Sequence, residues 1–175
     1  AADFHVMLGD LPYLACHDAD GTRLSPATAT LVPASLKLSP RPENLAAIRE
    51  RLHRIGPPPY IGVTWRGGTP PEAQTAVMSW MLYKEIPLEQ LAVALRTAGG
   101  TLIALQRKPV TGEIARFSEH LQRPLHDFTE TNERLEDMLA LMALLDDYVG
   151  VSNTNMHLRA GVGKTARVLV PCPPE

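Results

Sequence analysis

Cysteine is scarce in this chain. Among 175 residues there are two, Cys16 and Cys172, and they lie far apart in the sequence. Two cysteines are too few for a disulfide framework or for a cysteine-rich metal site, so we expect free thiols in a reducing, cytoplasmic compartment. The six histidines show no HxxxH spacing, and no metal site is expected from them.

The sequence also lacks an excess of charge of either sign and has no long hydrophobic run. The formal net charge is −2, which offers no basic surplus for nucleic acid or for an anionic membrane surface. The longest apolar runs, such as 138–145, are far too short to cross a bilayer. No signal-peptide pattern is visible at the N-terminus. With 45% hydrophobic and 21% charged residues, the composition indicates a globular domain.

Several common nucleotide and hydrolase signatures are absent as well. No G-x-G-x-x-G follows the first predicted strand, and no G-x-S-x-G elbow occurs. Residues 161–165 end in Gly-Lys-Thr, but they follow a predicted helix rather than a strand. They therefore lack the context that a phosphate-binding loop requires.

Proline, by contrast, is abundant and unevenly placed: the chain has 16, and Pro26, Pro33, Pro40 and Pro42 punctuate its first quarter. The run 57–59 is stiff, because proline fixes φ and lacks an N–H donor, and we interpret it as a boundary or hinge. Just before it, Leu45, Ile48 and Leu52 share one face of a predicted amphipathic helix. We interpret residues 1–59 as the remnant of an N-terminal domain, with a linker helix and the proline-rich hinge.

From residue 60 onward, predicted strands alternate with predicted helices, and 66–86 is a long irregular loop. The strands are expected at 60–65, 101–106, 124–128, 147–152 and 166–170, and the helices at 87–98, 110–121, 134–145 and 154–162. This alternation predicts a Rossmann-like α/β domain over 60–175, with a parallel sheet of about five strands and helices on both faces. Residues 102–105 and 168–170 are apolar throughout, which is typical of strands buried on both faces.

Ligands of such sheets bind at the carboxyl ends of the strands, beside helix N-termini. The first strand runs into Arg66-Gly67-Gly68, where a glycine turn can bring backbone N–H groups close to phosphate. A loop that merely needs positive φ is the alternative. The second strand ends in Gln106-Arg107-Lys108, an amide and two cations that suit a diphosphate or, alternatively, a solvated strand end. The third strand ends in Asp127-Phe128, which suits a nucleobase or, alternatively, a core Phe beside a turn Asp.

The fourth strand ends in the most informative segment, the polar run 152–157. Ser152 or Asn153 can cap the helix that follows. The free N–H groups at 154–156 would then form an anion site together with the helix dipole. His157, on the first turn, could add a hydrogen bond to a phosphate or a sugar. Ordinary capping is the alternative interpretation.

Lys84 stands in the long loop, just before the first helix of the domain. A mobile cation at this point can neutralise a leaving diphosphate. An ordinary surface lysine is the alternative.

Six segments in this order resemble the C-terminal domain of tetratricopeptide-repeat-linked bacterial glycosyltransferases. They are residues 61–67, 84–88, 102–106, 136–141, 151–158 and 163–171. That family is similar to the lipopolysaccharide heptosyltransferases and, more distantly, to the O-linked N-acetylglucosamine transferases. It has two facing Rossmann-like domains, the GT-B architecture, and its C-terminal domain holds the nucleotide-sugar.

The resemblance implies a set of site residues. Phosphate contacts would come from Thr154, Asn155 and His157. Lys84 and Gln106 would face the diphosphate, with Lys84 and His157 as the catalytic pair. The nucleoside would lie near Asp127 and Phe128. Transfer would need no metal or other cofactor.

Two positions depart from the family pattern. Asn153 stands where an acidic residue is usual, and Arg159 where a small residue is usual, so donor choice or activity can differ. The expected function is nucleotide-sugar binding within a glycosyltransferase, without turnover by this chain alone. Its partners would be the N-terminal acceptor domain and tetratricopeptide repeats of a longer protein. Two alternatives stay open: a non-catalytic module that binds a nucleotide-sugar or a protein, and part of a nucleotide-sugar epimerase.

Overall fold

The computed structural model describes Thr22 and residues 37–68 and 83–170. The compact unit that contains the sheet begins at Lys37. Both cysteines, most of residues 1–36 and the middle of the predicted loop lie outside the described residues. The prediction that residues 1–59 are the remnant of an N-terminal domain, with a linker helix and a hinge, therefore stays a prediction.

The described elements alternate as the sequence predicts, with boundaries one to a few residues inside the expected ones. In chain order they are α1 Pro42–Ile55, β1 Tyr60–Val63, β2 Arg66–Gly67, β3 Lys84–Glu85, α2 Leu88–Leu95, β4 Thr101–Ala104, α3 Glu113–Leu121, β5 Leu125–Asp127, a 3-10 helix Thr129–Glu133, α4 Leu135–Leu144, β6 Asp147–Val151, α5 Thr154–Gly161 and β7 Arg167–Leu169. None of the helices in these ranges is long and apolar enough to span a bilayer.

Five strands form one parallel sheet in the order β5-β4-β1-β6-β7. The chain starts in the middle at β1, which pairs with β4 on one side and with β6 on the other. It first runs outward to β5, and then crosses back to β6 and β7. The Rossmann-like prediction is confirmed. The reversal makes a topological switch point between β1 and β6, the position where ligands bind in open α/β sheets.

Helices cover both faces of the sheet, also as predicted. Alternate residues of one strand point to opposite faces, so β4 and its continuation divide between two cores. Ile103 and Leu105 lie in the core that includes Tyr148 and the apolar residues of α1 and α4. Leu102 and Ala104 lie in the core that contains the apolar residues of α2 and α3.

Helix α1 packs as part of this unit. Ile48 and Leu52 on its apolar face are 2% and 1% exposed, and they share one core with α4 and the sheet. The proline run that joins α1 to β1 is tied to β4, because Thr101 donates to the carbonyls of Pro57 at 2.7 Å and Pro59 at 2.9 Å. The helix and the sheet therefore form one core across the proline run.

The last strand differs from its prediction. Residues 168–170 were expected to be buried on both faces, and that expectation is wrong. In β7 and just after it, Leu169 is 43% and Val170 is 79% exposed. Strand β7 ends the sheet and pairs with β6 alone among the described residues. An apolar sequence cannot distinguish an edge strand from a central one, since that depends on which other elements cover it.

The predicted loop 66–86 is anchored at both of its ends. Strands β2 and β3 pair antiparallel, with Arg66 opposite Glu85 and Gly67 opposite Lys84. The N–H of Ile86 also donates to the carbonyl of Trp65 at 2.7 Å. The segment therefore leaves the end of β1 and returns to it.

Candidate functional site

A cleft of about 460 Å³ lies at the carboxyl edge of the sheet, beside the switch point. Its described lining residues follow β1, β4 and β6 or come from the segments beside them. They are Arg66, Gly67, Gly68, Tyr83, Leu105, Gln106, Arg107, Lys108, Asn132, Asn153, Thr154 and Asn155. Three of these residues carry positive charge and none is acidic. The structure thus brings together most of the site residues that the sequence predicts.

The two glycines after β1 have structural reasons to be glycine. A side chain at Gly67 would approach the carbonyl oxygen of Ser152 at 3.1 Å and the side chain of Val151 at 3.2 Å. Gly68 has φ of 88°, which favours glycine. The turn therefore packs tightly against the end of β6, and its backbone forms one wall of the cleft.

The positive charge of Arg66 is already paired. Its guanidinium forms a two-pronged ion pair with Glu113, with Nη2 2.8 Å from Oε2, and it also donates to the carbonyl of Lys108 at 3.2 Å. Glu113 accepts two further hydrogen bonds, from the indole of Trp65 and the backbone N–H of Val110, both at 2.9 Å. Burial of Glu113 opposes its ionisation, but these hydrogen bonds outweigh that effect and hold its pKa below the ordinary value. The pair stiffens the cleft wall and removes most of the net charge of Arg66.

Gln106 is a structural bridge. Its Oε1 accepts from the backbone N–H groups of Trp65 at 3.1 Å and Arg66 at 3.0 Å, and its Nε2 donates to the carbonyl of Arg107 at 3.2 Å. The side chain is 4% exposed. It ties the end of β4 to the end of β1 and so holds two walls of the cleft in register. A direct contact with diphosphate stays a prediction.

The start of α5 faces the cleft. Asn153 caps the helix, because its Oδ1 accepts from the N–H of Met156 at 3.3 Å. Nothing in the described part of the chain accepts the N–H groups of Thr154 and Asn155. Thr154 is exposed and Asn155 lines the cleft floor. Free N–H groups at the positive end of a helix dipole are a general anion site.

A closed ring of three hydrogen bonds holds that cap. Asn153 Nδ2 donates to Thr64 Oγ1 at 3.0 Å, and the Tyr148 hydroxyl donates to Asn153 Oδ1 at 3.0 Å. The 2.7 Å bond between Thr64 and Tyr148 must then run from the Thr64 hydroxyl to the Tyr148 oxygen, since the tyrosine proton is already used. Burial raises the pKa of Tyr148, in line with its role as a neutral donor. Asn153 therefore acts on the cleft through the position of the helix, because its amide oxygen and one of its amide N–H groups are engaged within the protein.

Two more amides meet at the cleft floor. Asn132 Nδ2 and Asn155 Nδ2 both donate to the carbonyl oxygen of Leu105, at 3.1 and 3.4 Å. Asn132 also donates to the carbonyl of Thr129 at 2.8 Å. These contacts fix both side chains at the end of β4.

The predicted catalytic pair lies outside the cleft lining. Lys84 Nζ donates to the carbonyl of Ser152 at 3.1 Å, and Lys84 itself is half-buried in β3. The expected loop position of Lys84 is therefore wrong, because the residue lies in a paired strand, and its role toward a diphosphate stays a prediction. His157 is exposed on the first turn of α5 and is not a lining residue.

The residues predicted to hold the nucleoside are also not in the lining. Phe128 is 3% exposed, belongs to the core, and has the guanidinium of Arg51 4.3 Å above its ring. Asp127 Oδ1 accepts from the N–H of Thr129 at 2.9 Å and from its hydroxyl at 2.7 Å. The structure therefore agrees with the alternative interpretation, a core Phe beside a turn Asp.

Arg159 has a structural role on the far side of α5. It is 1% exposed and donates to the carbonyls of Met142 at 3.1 Å, Leu145 at 3.2 Å and Asp146 at 3.0 Å. It also donates to the carbonyl of Thr165. Burial lowers the pKa of Arg159, although nearby carboxylates oppose that shift. The Arg159 side chain therefore closes the end of α4, and it is not among the described residues that line the cleft.

Sequence reasoning missed three lining residues: Tyr83, Leu105 and Asn132. Leu105 contributes its backbone carbonyl, which an apolar side chain does not reveal. Asn132 lies on the 3-10 helix, well beyond the end of β5, so the rule of searching directly after a strand does not reach it.

No family model, curated protein or solved structure matches this chain. Within the described ranges, no group of three histidine, cysteine, aspartate or glutamate side chains is arranged to hold a metal ion. The geometry and charge of the cleft are therefore the main structural indications of function.

Proposed function

We propose that this domain binds a nucleoside-diphosphate sugar, as the donor-binding part of a glycosyltransferase. One observation carries the proposal. The free helix start of α5, the glycine turn after β1 and the cations after β4 converge on a single cleft at the switch point of the sheet. This combination favours an anionic ligand.

The charges support a diphosphate in particular. Arg107 and Lys108 are exposed at the cleft, while the charge of Arg66 is largely cancelled by Glu113. Since none of the described lining residues is acidic, the two cations and the helix start favour a ligand that carries two or more negative charges.

The size of the cleft supports a nucleotide-sized ligand. Sites for small molecules and cofactors usually enclose roughly 300–1,000 Å³. The cleft, at about 460 Å³, is in that range and exceeds what one phosphate would fill.

The sugar-transfer part of the proposal depends on the resemblance to glycosyltransferases. Segments 61–67, 102–106 and 151–158, three of those that resemble the family, supply lining residues. In transfer, the N–H groups at the start of α5 would stabilise the charge that develops on the leaving diphosphate. The acceptor and the general base would come from another domain.

A non-catalytic nucleotide-sugar module is the second candidate, and one observation favours it. Lys84 and His157, the residues predicted to be catalytic, are both absent from the lining, and Lys84 is tied to the Ser152 carbonyl. Donor hydrolysis by a full-length protein would distinguish the two. Release of free sugar supports the transferase, and tight binding without hydrolysis supports the module.

Calorimetry with UDP, GDP, ADP and CDP tests the proposal. We expect at least one nucleotide to bind, and the variant Lys108→Ala to weaken that binding and flatten its dependence on salt. Gln90→Ala, which changes an exposed side chain on α2, is the control and should leave affinity unchanged. If none of the four nucleotides binds, the proposal is wrong.

A further inference from the structure

The Leu105 carbonyl fixes the orientation of the Asn132 and Asn155 side-chain amides, because it can only accept hydrogen bonds. Each Nδ2 faces the carbonyl oxygen of Leu105, at 3.1 and 3.4 Å. Flipping either amide would oppose two oxygen atoms, both of which are acceptors only. The Oδ1 atom of each side chain therefore points away from Leu105.

These two oxygens lack donors. Among the described residues, nothing donates to Oδ1 of Asn132 or of Asn155. Asn155 is 6% exposed. Among the described residues, every fully buried side-chain oxygen or nitrogen has a hydrogen-bond partner, so an oxygen without a donor cannot be fully buried. Its Oδ1 is therefore reachable, and the cleft is where Asn155 meets solvent. A nearly buried acceptor without a donor is costly to desolvate, and a ligand donor offsets that cost.

We infer that the cleft recognises hydroxyl groups beside the anion, with Asn132 and Asn155 as paired acceptors. This inference rests on the proposed function and deepens it. Amide oxygens repel phosphate oxygens, so the phosphates lie toward Thr154 and Lys108, and the hydroxyl-bearing part of the ligand lies at the Leu105 floor. The ligand class is therefore a phosphorylated sugar, whose hydroxyls come from ribose or from the donor sugar, rather than an inorganic polyphosphate.

The test compares ligands with and without hydroxyls. Calorimetry of the wild type, Asn155→Ala and Asn132→Ala would use inorganic pyrophosphate, UDP, and UDP-glucose, with GDP and GDP-mannose as a second pair. We expect each variant to lose about 3- to 10-fold in affinity for the hydroxyl-bearing ligands and to keep its affinity for pyrophosphate. Gln90→Ala is the matched carboxamide control, and thermal unfolding checks that each variant is folded.

The outcomes separate the possibilities. A loss for UDP and UDP-glucose alike supports recognition of the ribose, and a loss confined to UDP-glucose supports recognition of the sugar. Equal losses for pyrophosphate and the nucleotides overturn this inference, because the residues would then act through the helix start, and the proposed function would stand. Unchanged affinity for every ligand also overturns it. If the wild type binds none of the probes, the proposed function fails and this inference fails with it.

Discussion

Replacement of Thr154 by proline would delete one hydrogen-bond donor from the cleft and leave α5 intact. Thr154 is the first residue of α5, and its N–H has no acceptor among the described residues. The first N–H groups of any helix lack intrahelical partners, and proline is well tolerated at this position. The preceding Asn153 is extended, at φ −155° and ψ −178°, a conformation that proline allows in the residue before it.

The expected magnitude follows from the hydrogen bond that is lost. A bond from this N–H to a phosphate oxygen contributes about 1.5–3 kcal/mol, because the acceptor is charged. Thr154→Pro should therefore weaken nucleotide binding about 10- to 100-fold. The free energy of unfolding should change by less than about 0.5 kcal/mol, since Thr154 is exposed and its N–H supports no helical bond.

Calorimetry with the best-binding nucleotide measures the first quantity, and urea unfolding measures the second. Thr154→Ala removes the hydroxyl but keeps the N–H, so it separates side-chain from backbone contributions. If Thr154→Pro and Thr154→Ala bind equally well, the helix start does not hold the phosphate and the reasoning about α5 is refuted.

Three further predictions concern Glu113 and Tyr148, which support the cleft, and Arg159, which lies outside it. Because the pKa of Glu113 lies below its ordinary value of 4.5, its contribution to stability is complete above that pH and is lost as the pH falls through the lowered pKa. Glu113→Gln should destabilise the protein by about 2–4 kcal/mol at pH 7, because Arg66 loses its partner. The free energy of unfolding of this variant should also fall less steeply at low pH than that of the wild type. Identical pH profiles of unfolding for the two proteins would contradict this prediction. Tyr148→Phe should lower the free energy of unfolding in urea by about 1–3 kcal/mol, because it opens the ring of hydrogen bonds. The control Tyr60→Phe loses one hydrogen bond to a carbonyl and should lower it by less. The reverse order would show that the ring does not stabilise the fold. Arg159→Met should lower the unfolding free energy by about 2–5 kcal/mol, because buried carbonyls lose their donor, and should leave nucleotide affinity unchanged. A stable variant with altered nucleotide choice would show that this arginine acts on the ligand.

Much of the cleft could be predicted because parallel strands end at a common edge. Arg66 and Asn153 directly follow predicted strands, Gln106 ends one, and all three line the cleft. Their actual contacts could not be predicted, since they depend on partners distant in sequence. Glu113 neutralises Arg66 across 47 residues, and Gln106 reaches back 41 residues to Trp65.

The misplaced residues have equally specific causes. Phe128 and Asp127 satisfy the strand-end rule, but β5 is an edge strand, so its end lies away from the switch point. The residues around Lys84 were predicted to form a loop, because β2 and β3 pair over only two residues, which is too short to give an alternating hydrophobic pattern. Arg159 looked like a change at the ligand site because it follows His157 closely, yet helix geometry directs it to the opposite side of α5.

The amino-acid sequence was enough to predict the alternation of strands and helices, the parallel sheet, and the edge of the sheet at which the cleft lies. Local hydrophobic pattern and capping residues carry that information, because each depends on neighbours a few positions away. The three-dimensional structure was needed to show that Glu113 pairs with Arg66, that β7 is an exposed edge strand, and that Asn132 and Asn155 line the cleft. Those properties depend on contacts between residues far apart in the chain, where burial and hydrogen bonding select one role for each side chain.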